Sequence, residues 1–182
     1  MELMNQRSDS NQRSRRSIRL KEHDYSHAGA YFVTVCTKHR KMIFGDIVED
    51  GMFLSPFGLV VKECWQDLPR HYHLLELDAF IVMPNHVHGI FLITGNPHVG
   101  AGLKPAPTSK PYTLPEIVRA LKTFSARRIN EIRKTPGIPV WQRTYYEHVI
   151  RNEIDLEETR EYIQNNPLKW AEDENHPSNI KK

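Results

Sequence analysis

Cysteine is almost missing from this chain. Cys36 and Cys64 are the two present among 182 residues, each inside its own apolar pattern, which excludes a disulfide framework and leaves no thiolate metal site. Long apolar runs are missing too: none approaches the roughly 20 residues that span a bilayer, and residues 1–20 lack the apolar stretch of a secretory signal. A cytoplasmic protein with no membrane partner is therefore expected. There is no Gly-x-x-x-x-Gly-Lys-Ser/Thr loop, so a phosphate cradle of that kind, and nucleotide cofactor chemistry built on it, is excluded. Excess charge is also small, at +3.

What is present suits one compact domain with arms: 39% of residues are hydrophobic and 26% charged, ordinary values for a soluble protein. The modest net charge hides local concentrations. Arg13, Arg15, Arg16, Arg19 and Lys21 crowd near the N-terminus, and Arg119, Lys122, Arg127, Arg128, Arg133 and Lys134 share a helical pattern. Such clusters either neutralise phosphates or form solvated faces. The expected organisation is a flexible basic arm over residues 1–20, a domain over 21–170 with a flexible Gly/Pro insertion at 95–111, and a polar tail over 171–182.

Tyr31 to Thr37 is β-branched and aromatic, which predicts a strand. Residues 44–54 read as a short hairpin or loop, and the spacing of Leu59, Val60, Cys64, Trp65 and Leu68 predicts a helix. Strands over 74–83 and 87–94 follow, joined by a tight Pro84-Asn85 turn. Thr113-x-x-Glu116 opens a helix with Leu114, Ile117, Val118, Leu121, Phe124 and Ile129 as its buried stripe. Residues 141–151 predict a strand, and Asp155-x-x-Glu158 a capped helix that Pro167 stops. The order β, α, β, β, α, β, α predicts an α+β, ferredoxin-like antiparallel sheet with helices packed on one face.

The stretch Ile81 to His88, IVMPNHVH, sets His86 and His88 two apart at the start of an apolar strand, so both imidazoles point the same way. This is either a metal pair on a rigid support or two histidines on the polar face of a strand. His71-Tyr-His73 repeats the spacing, and these two are read as surface residues. On the last helix Tyr162 and Asn166 are four apart and share a face. If that face covers the histidines, two imidazoles and an amide oxygen make a mixed nitrogen and oxygen site suited to Mg2+ or Mn2+ rather than closed structural zinc. Taken alone, Tyr162 reads as a packed core aromatic with a hydrogen-bonded hydroxyl rather than as a nucleophile.

Three ordered motifs carry a resemblance. Pro84-Asn85-His86-Val87-His88-Gly89, then Val140-Trp141-Gln142-Arg143-x-Tyr145-Tyr146-Glu147-His148-x-Ile150-Arg151-Asn152, then Tyr162-Ile163-x-Asn165-Asn166-Pro167, together resemble the REP-associated tyrosine transposases. These belong to the single-tyrosine HUH transposases and endonucleases. The likeness runs from Arg15 to Trp170. It implies a metal-dependent single-stranded DNA endonuclease and strand transferase acting on palindromic repeat hairpins. By motif position it implies Tyr162 as the catalytic nucleophile, forming a 5′-phosphotyrosine, with His86 and His88 as metal ligands and Asn166 as the third. Arg15, Arg16, Arg19, Lys122, Arg143, His148 and Arg151 are candidate DNA contacts, the last three alternatively ion-paired to Glu147 and Glu153. Trp141, Tyr145 and Tyr146 stack on unpaired bases or pack in the core. The resemblance leaves a monomer or a homodimer open and implies a nucleoid-associated protein.

Two other readings remain: a DNA-hairpin-binding regulator without transposition, and a metal-dependent phosphodiesterase that uses water. Residues 99–108 change from Gly-rich to Pro-rich about their middle, and glycine codons are complementary to proline codons. Either an in-frame palindromic repeat encodes this run or it is a plain Gly/Pro loop, and the gene's nucleotide sequence decides.

Overall fold

The structure, a computed structural model, describes residues 28–94 and 112–179. The N-terminal segment with Arg15, Arg16 and Arg19, and the 95–111 insertion, lie outside the described residues. Strand β1 (Gly29–Cys36) is followed by a small hairpin, β2 (Gly45–Val48) and β3 (Gly51–Leu54), then helix α1 (Pro56–His71), β4 (Leu75–Met83), β5 (His86–Ile93), α2 (Leu114–Ile132), β6 (Tyr146–Ile150) and α3 (Glu153–Asn165). The main sheet is antiparallel in the order β4-β5-β1-β6. This is the expected α+β class, with its ferredoxin-like order of strands.

Helix α1 begins where Ser55 accepts a hydrogen bond from the Gly58 N–H at 3.2 Å and Pro56 occupies the first turn, a start that needs no donor from the proline. Helix α2 begins at the capping box: the Glu116 carboxylate accepts from the Thr113 N–H at 2.9 Å. Both helices lie on one face of the sheet, against Tyr31, Val33 and Val35 of β1 and Val87 and Phe91 of β5. Phe124, expected in the buried stripe of α2, is half-exposed and stacks on His71 at 6.1 Å.

Helix α3 lies on the opposite face, where Ile163 packs with Phe32, Ile90 and Ile150. The element order alone predicts all helices on one face. The difference follows from strand alternation: even-numbered residues of β1 and β5 turn away from α1 and α2, and several of them are apolar and must be covered. The strand expected over 141–151 is also shorter. Only Tyr146–Ile150 pairs with β1, beyond a bridge between Thr37 and Trp141, because Trp141 turns inward to donate its indole N–H to Ser125 Oγ at 3.0 Å. The cap of α3 is Asn152, which accepts from the Asp155 N–H at 2.9 Å, and not Asp155.

Gly89 lies on the α1 face of β5. A Cβ there would lie 2.3 Å from Trp65, whose ring is stacked between Phe80 and Phe91 at 4.3 and 4.4 Å and has no room to yield. Gly89→Val is therefore expected to destabilise the fold by about 3 kcal/mol, as overpacking of a filled core does. A urea midpoint within error of the wild type's would contradict this packing.

Candidate metal centre and nucleophile

Strand β5 starts with His86 and His88 on the α3 face, both buried. Their Nε2 atoms face one another at 2.8 Å. The side chain behind each ring fixes this aim. Asn85 donates its amide N–H groups to the carbonyls of Asn175 at 2.8 Å and Arg40 at 3.2 Å, so its Oδ1 points at His86 Nδ1, 2.8 Å away, and accepts that proton. The His86 Nε2 lone pair is thereby left bare. His88 Nδ1 meets Thr34 Oγ1 at 2.8 Å, a hydroxyl that accepts when the ring is needed as a ligand. Burial drives the His86 pKa down to about 3, with Arg40 adding to the effect. His88 is held well below its ordinary value, again chiefly by burial, then by His86. Both rings are neutral and able to ligate at physiological pH.

A third group, Asp173, lies in the segment the sequence predicts as a polar tail. Asp173 is buried, its Oδ2 3.9 Å from His86 Nε2, and the ligand atoms of His86, His88 and Asp173 lie within 4.8 Å of one another. The sequence predicts a polar tail over 171–182, yet Asp173 and Asn175 are buried. The Asn175 N–H donates to Asp173 Oδ1 at 2.5 Å, and Arg40 donates to the Glu174 carbonyl at 3.1 Å. Arg40 and His39 adopt positive φ values of 51° and 58°, which turns the Arg40 carbonyl toward Asn85 and its guanidinium toward the C-terminal segment. The one signal in the sequence was Asp173-Glu174-Asn175, short polar groups suited to a turn.

Tyr162 and Asn166 reach this site from α3. The Tyr162 hydroxyl lies 3.4 Å from His88 Nε2, and its ring meets Phe32 edge-on at 5.9 Å. Burial lifts the phenol pKa to about 12, with the Asp173 and Glu174 carboxylates adding to it and a hydrogen bond from Asn166 opposing it. The hydroxyl is protonated at neutral pH, so attack by its oxygen requires positive charge nearby. Asn166 donates to Asp173 Oδ2 at 3.1 Å, while its own Oδ1 is buried without a partner. Two neutral imidazoles aimed at each other, a buried carboxylate and an orphaned amide oxygen form a donor set that fits a divalent cation. The cleft outside carries Glu158, Glu161, Glu172 and Glu174 beside Tyr162, with Lys169 as the one basic group on its lining, a net acidic rim that disfavours phosphate until a bound cation offsets it.

Helix α3 is lightly anchored: Ile163 is its one fully buried residue among those described. A charged fork compensates. Arg160 grips Asp78 with Nε to Oδ1 at 2.9 Å and Nη2 to Oδ2 at 2.6 Å, at the point where a register shift bulges β4. Arg160, then the Ala79 N–H, hold the Asp78 carboxyl below its usual range, against the opposing cost of burial. A carboxyl depressed in the folded state stabilises above its unfolded pKa of about 3.9, and that contribution fades as pH falls through the folded value. Asp78→Asn is expected to cost about 1–2 kcal/mol at pH 7 and much less near pH 2. An equal loss at both pH values would contradict it.

The structure separates the candidate DNA contacts. His148 Nε2 lies 3.0 Å from Asp155 and borders a cleft with Tyr162, and the Arg151 backbone N–H donates to the same carboxylate at 3.1 Å. Asp155, rather than Glu147 or Glu153, is the partner. Lys122 donates to the Arg143 carbonyl at 3.0 Å, and these two line a different cleft, with Arg119 and Tyr145. Trp141 is buried, Tyr145 packs against the core, and Tyr146 is 51% exposed. His71 and His73 lie on the surface, and both cysteines are free. No helix among the described residues is long and apolar enough to cross a membrane.

No protein-family profile matches the chain. An uncharacterized protein of Haemophilus influenzae is 39% identical over 165 residues, covering 88% of this chain and 92% of the relative. A second protein of that organism, named as a candidate REP-associated tyrosine transposase, is 24% identical over 146 residues, 80% of this chain and 74% of the relative. Among solved structures, a REP-associated tyrosine transposase bound to a REP hairpin superposes with a TM-score of 0.57 at 19% identity, covering 84% of this chain and 74% of that one.

Proposed function

We propose, for a chain that belongs to one family with its 39% identical Haemophilus influenzae relative and resembles the REP-associated tyrosine transposases in fold and sequence, that it cuts and rejoins single-stranded DNA at palindromic hairpins. The observation that carries this reading is one face of the sheet on which His86, His88, Asp173, Asn166 and the Tyr162 hydroxyl converge. His86, His88 and Asp173, or Asn166 in its place, would hold Mg2+ or Mn2+, and the bound ion supplies Lewis-acid polarisation of a phosphodiester. The protein's own groups do the rest. Asn85 and Thr34 hold the imidazoles in register. Phe32 fixes the plane of the Tyr162 ring. The Tyr162 oxygen attacks phosphorus, the P–O3′ bond breaks, and the phenolic proton is made up on the departing 3′ hydroxyl. The product is a 5′-phosphotyrosine that keeps the energy of the broken bond. A 3′ hydroxyl reverses the step with no nucleotide cofactor.

The hairpin carried by the structural relative makes labelled hairpins from repeats flanking this gene the substrate to test. Incubation with Mn2+ or Mg2+ and denaturing electrophoresis is expected to show a metal-dependent band of protein bound to DNA. Binding without any adduct would instead favour a hairpin-binding regulator, and cleavage without an adduct a hydrolase that uses water.

A further inference from the structure

A second cleft opens beside Tyr162, between the edge strand β6 and helix α3. Phe32 forms its floor, Tyr146 and Tyr162 its aromatic sides, and His148, Asp155 and Glu158 its polar border. Phe32 holds the two tyrosines in one frame, meeting Tyr162 at 5.9 Å and 86° and Tyr146 at 6.2 Å and 68°. Tyr146 is nonetheless 51% exposed. Strand β6 pairs with β1 alone among the described residues, so the Tyr146 ring is reachable from outside the sheet edge. Glu158 stands one helical turn before Tyr162 and also faces the cleft. A carboxylate there repels a phosphodiester and accepts a hydrogen bond from an exocyclic amino group.

We infer that this cleft takes one unpaired nucleobase of the strand being cut, next to the phosphate presented to Tyr162, with the base stacked on Tyr146 and its amino edge toward Glu158. The inference rests on the strand-cutting reading above and adds to it a substrate-contacting residue and a base preference. The charges set the orientation: the acidic border turns the backbone outward and admits the base. Thymine, which has no exocyclic amino group, is the disfavoured occupant, and adenine, cytosine and guanine are favoured. Stacking of this kind tolerates any ring face, so the preference comes from the Glu158 edge and the affinity from Tyr146.

The test uses hairpin DNA with 2-aminopurine, or an abasic unit, at each unpaired position flanking the cleavage site in turn. With wild-type protein, 2-aminopurine fluorescence is expected to be quenched on binding at one of these positions, and an abasic unit at that position to slow adduct formation about 10-fold or more. Tyr146→Ala should remove the quenching and slow the base-containing substrate by a similar factor, while adding nothing further on abasic DNA. Tyr146→Trp should retain both effects, and Glu158→Gln should reduce the discrimination against thymine. Because the abasic arm uses unaltered protein, a folding defect in a variant leaves it intact. Adduct formation without quenching, or losses from Tyr146→Ala and the abasic unit that multiply, would overturn the subsite. Quenching that depends on Tyr146 in the absence of any adduct would support the subsite and overturn the strand-cutting reading instead.

Discussion

Tyr162→Phe is expected to abolish the covalent adduct and lower DNA cleavage by more than about a thousandfold, the scale seen when a nucleophile is removed, while leaving the fold intact. The phenyl ring keeps its contact with Phe32 at 5.9 Å. The hydroxyl removed has only weak partners, His88 Nε2 at 3.4 Å and the Asn166 amide, which is already engaged with Asp173. A stability change within about 0.5 kcal/mol follows, because the position is half-exposed and no buried partner loses a strong hydrogen bond. The alternative, a structural tyrosine, predicts the reverse pattern: activity kept and stability reduced. Thermal melts alongside the electrophoretic assay separate the two, since the first account moves only the activity.

His86→Ala is the second large effect. It removes one imidazole from the candidate donor set and opens a void at a buried position. It also leaves Asn85 Oδ1 without its donor. Affinity for Mn2+, measured by calorimetry, is expected to fall on the order of 100-fold or more, beyond the loss typical of an outer-shell partner. The orphaned amide oxygen adds about 1–3 kcal/mol of destabilisation. Asn85→Ala should be milder in metal affinity, because His86 stays in place and loses only its orientation. Asp173→Asn and Asn166→Ala then separate the two candidate third ligands. If the carboxylate ligates, Asp173→Asn causes the larger loss, since an amide oxygen donates more weakly than a carboxylate. Equal affinity in the wild type and His86→Ala would remove the metal centre from the account.

The same pair of histidines shows how far the sequence could be read. Their alternation along an apolar strand predicts two imidazoles on one face, and the structure places them there because strand geometry is local. Tyr162 and Asn166 were legible for the same reason, being one helical turn apart. Which face α3 would cover was not legible. That choice depends on Ile90 and Ile150 needing a lid on the side away from α1 and α2, a property of the assembled sheet. Asp173 was hidden further still. It has no periodicity to announce it, and its burial comes from a turn tied to Arg40 and Asn85, residues far away along the chain. Asn152 displaced Asp155 as the cap of α3 because either side chain can satisfy a first-turn N–H, and Asp155 is engaged with His148 and the Arg151 backbone. The exposed Tyr146, which follows a buried Trp141 and a packed Tyr145, was likewise decided by where β6 begins.

Identification of the amino acid that carries DNA tests the central claim most directly. After reaction of the wild type with a hairpin substrate and Mn2+, nuclease digestion followed by trypsin leaves a nucleotide remnant on whichever residue attacked. Mass spectrometry is expected to find it on the peptide from Glu161 to Lys169, which contains Tyr162 as its one tyrosine. A remnant on another peptide, or quantitative cleavage to a free 5′ phosphate with no peptide modified, would contradict it.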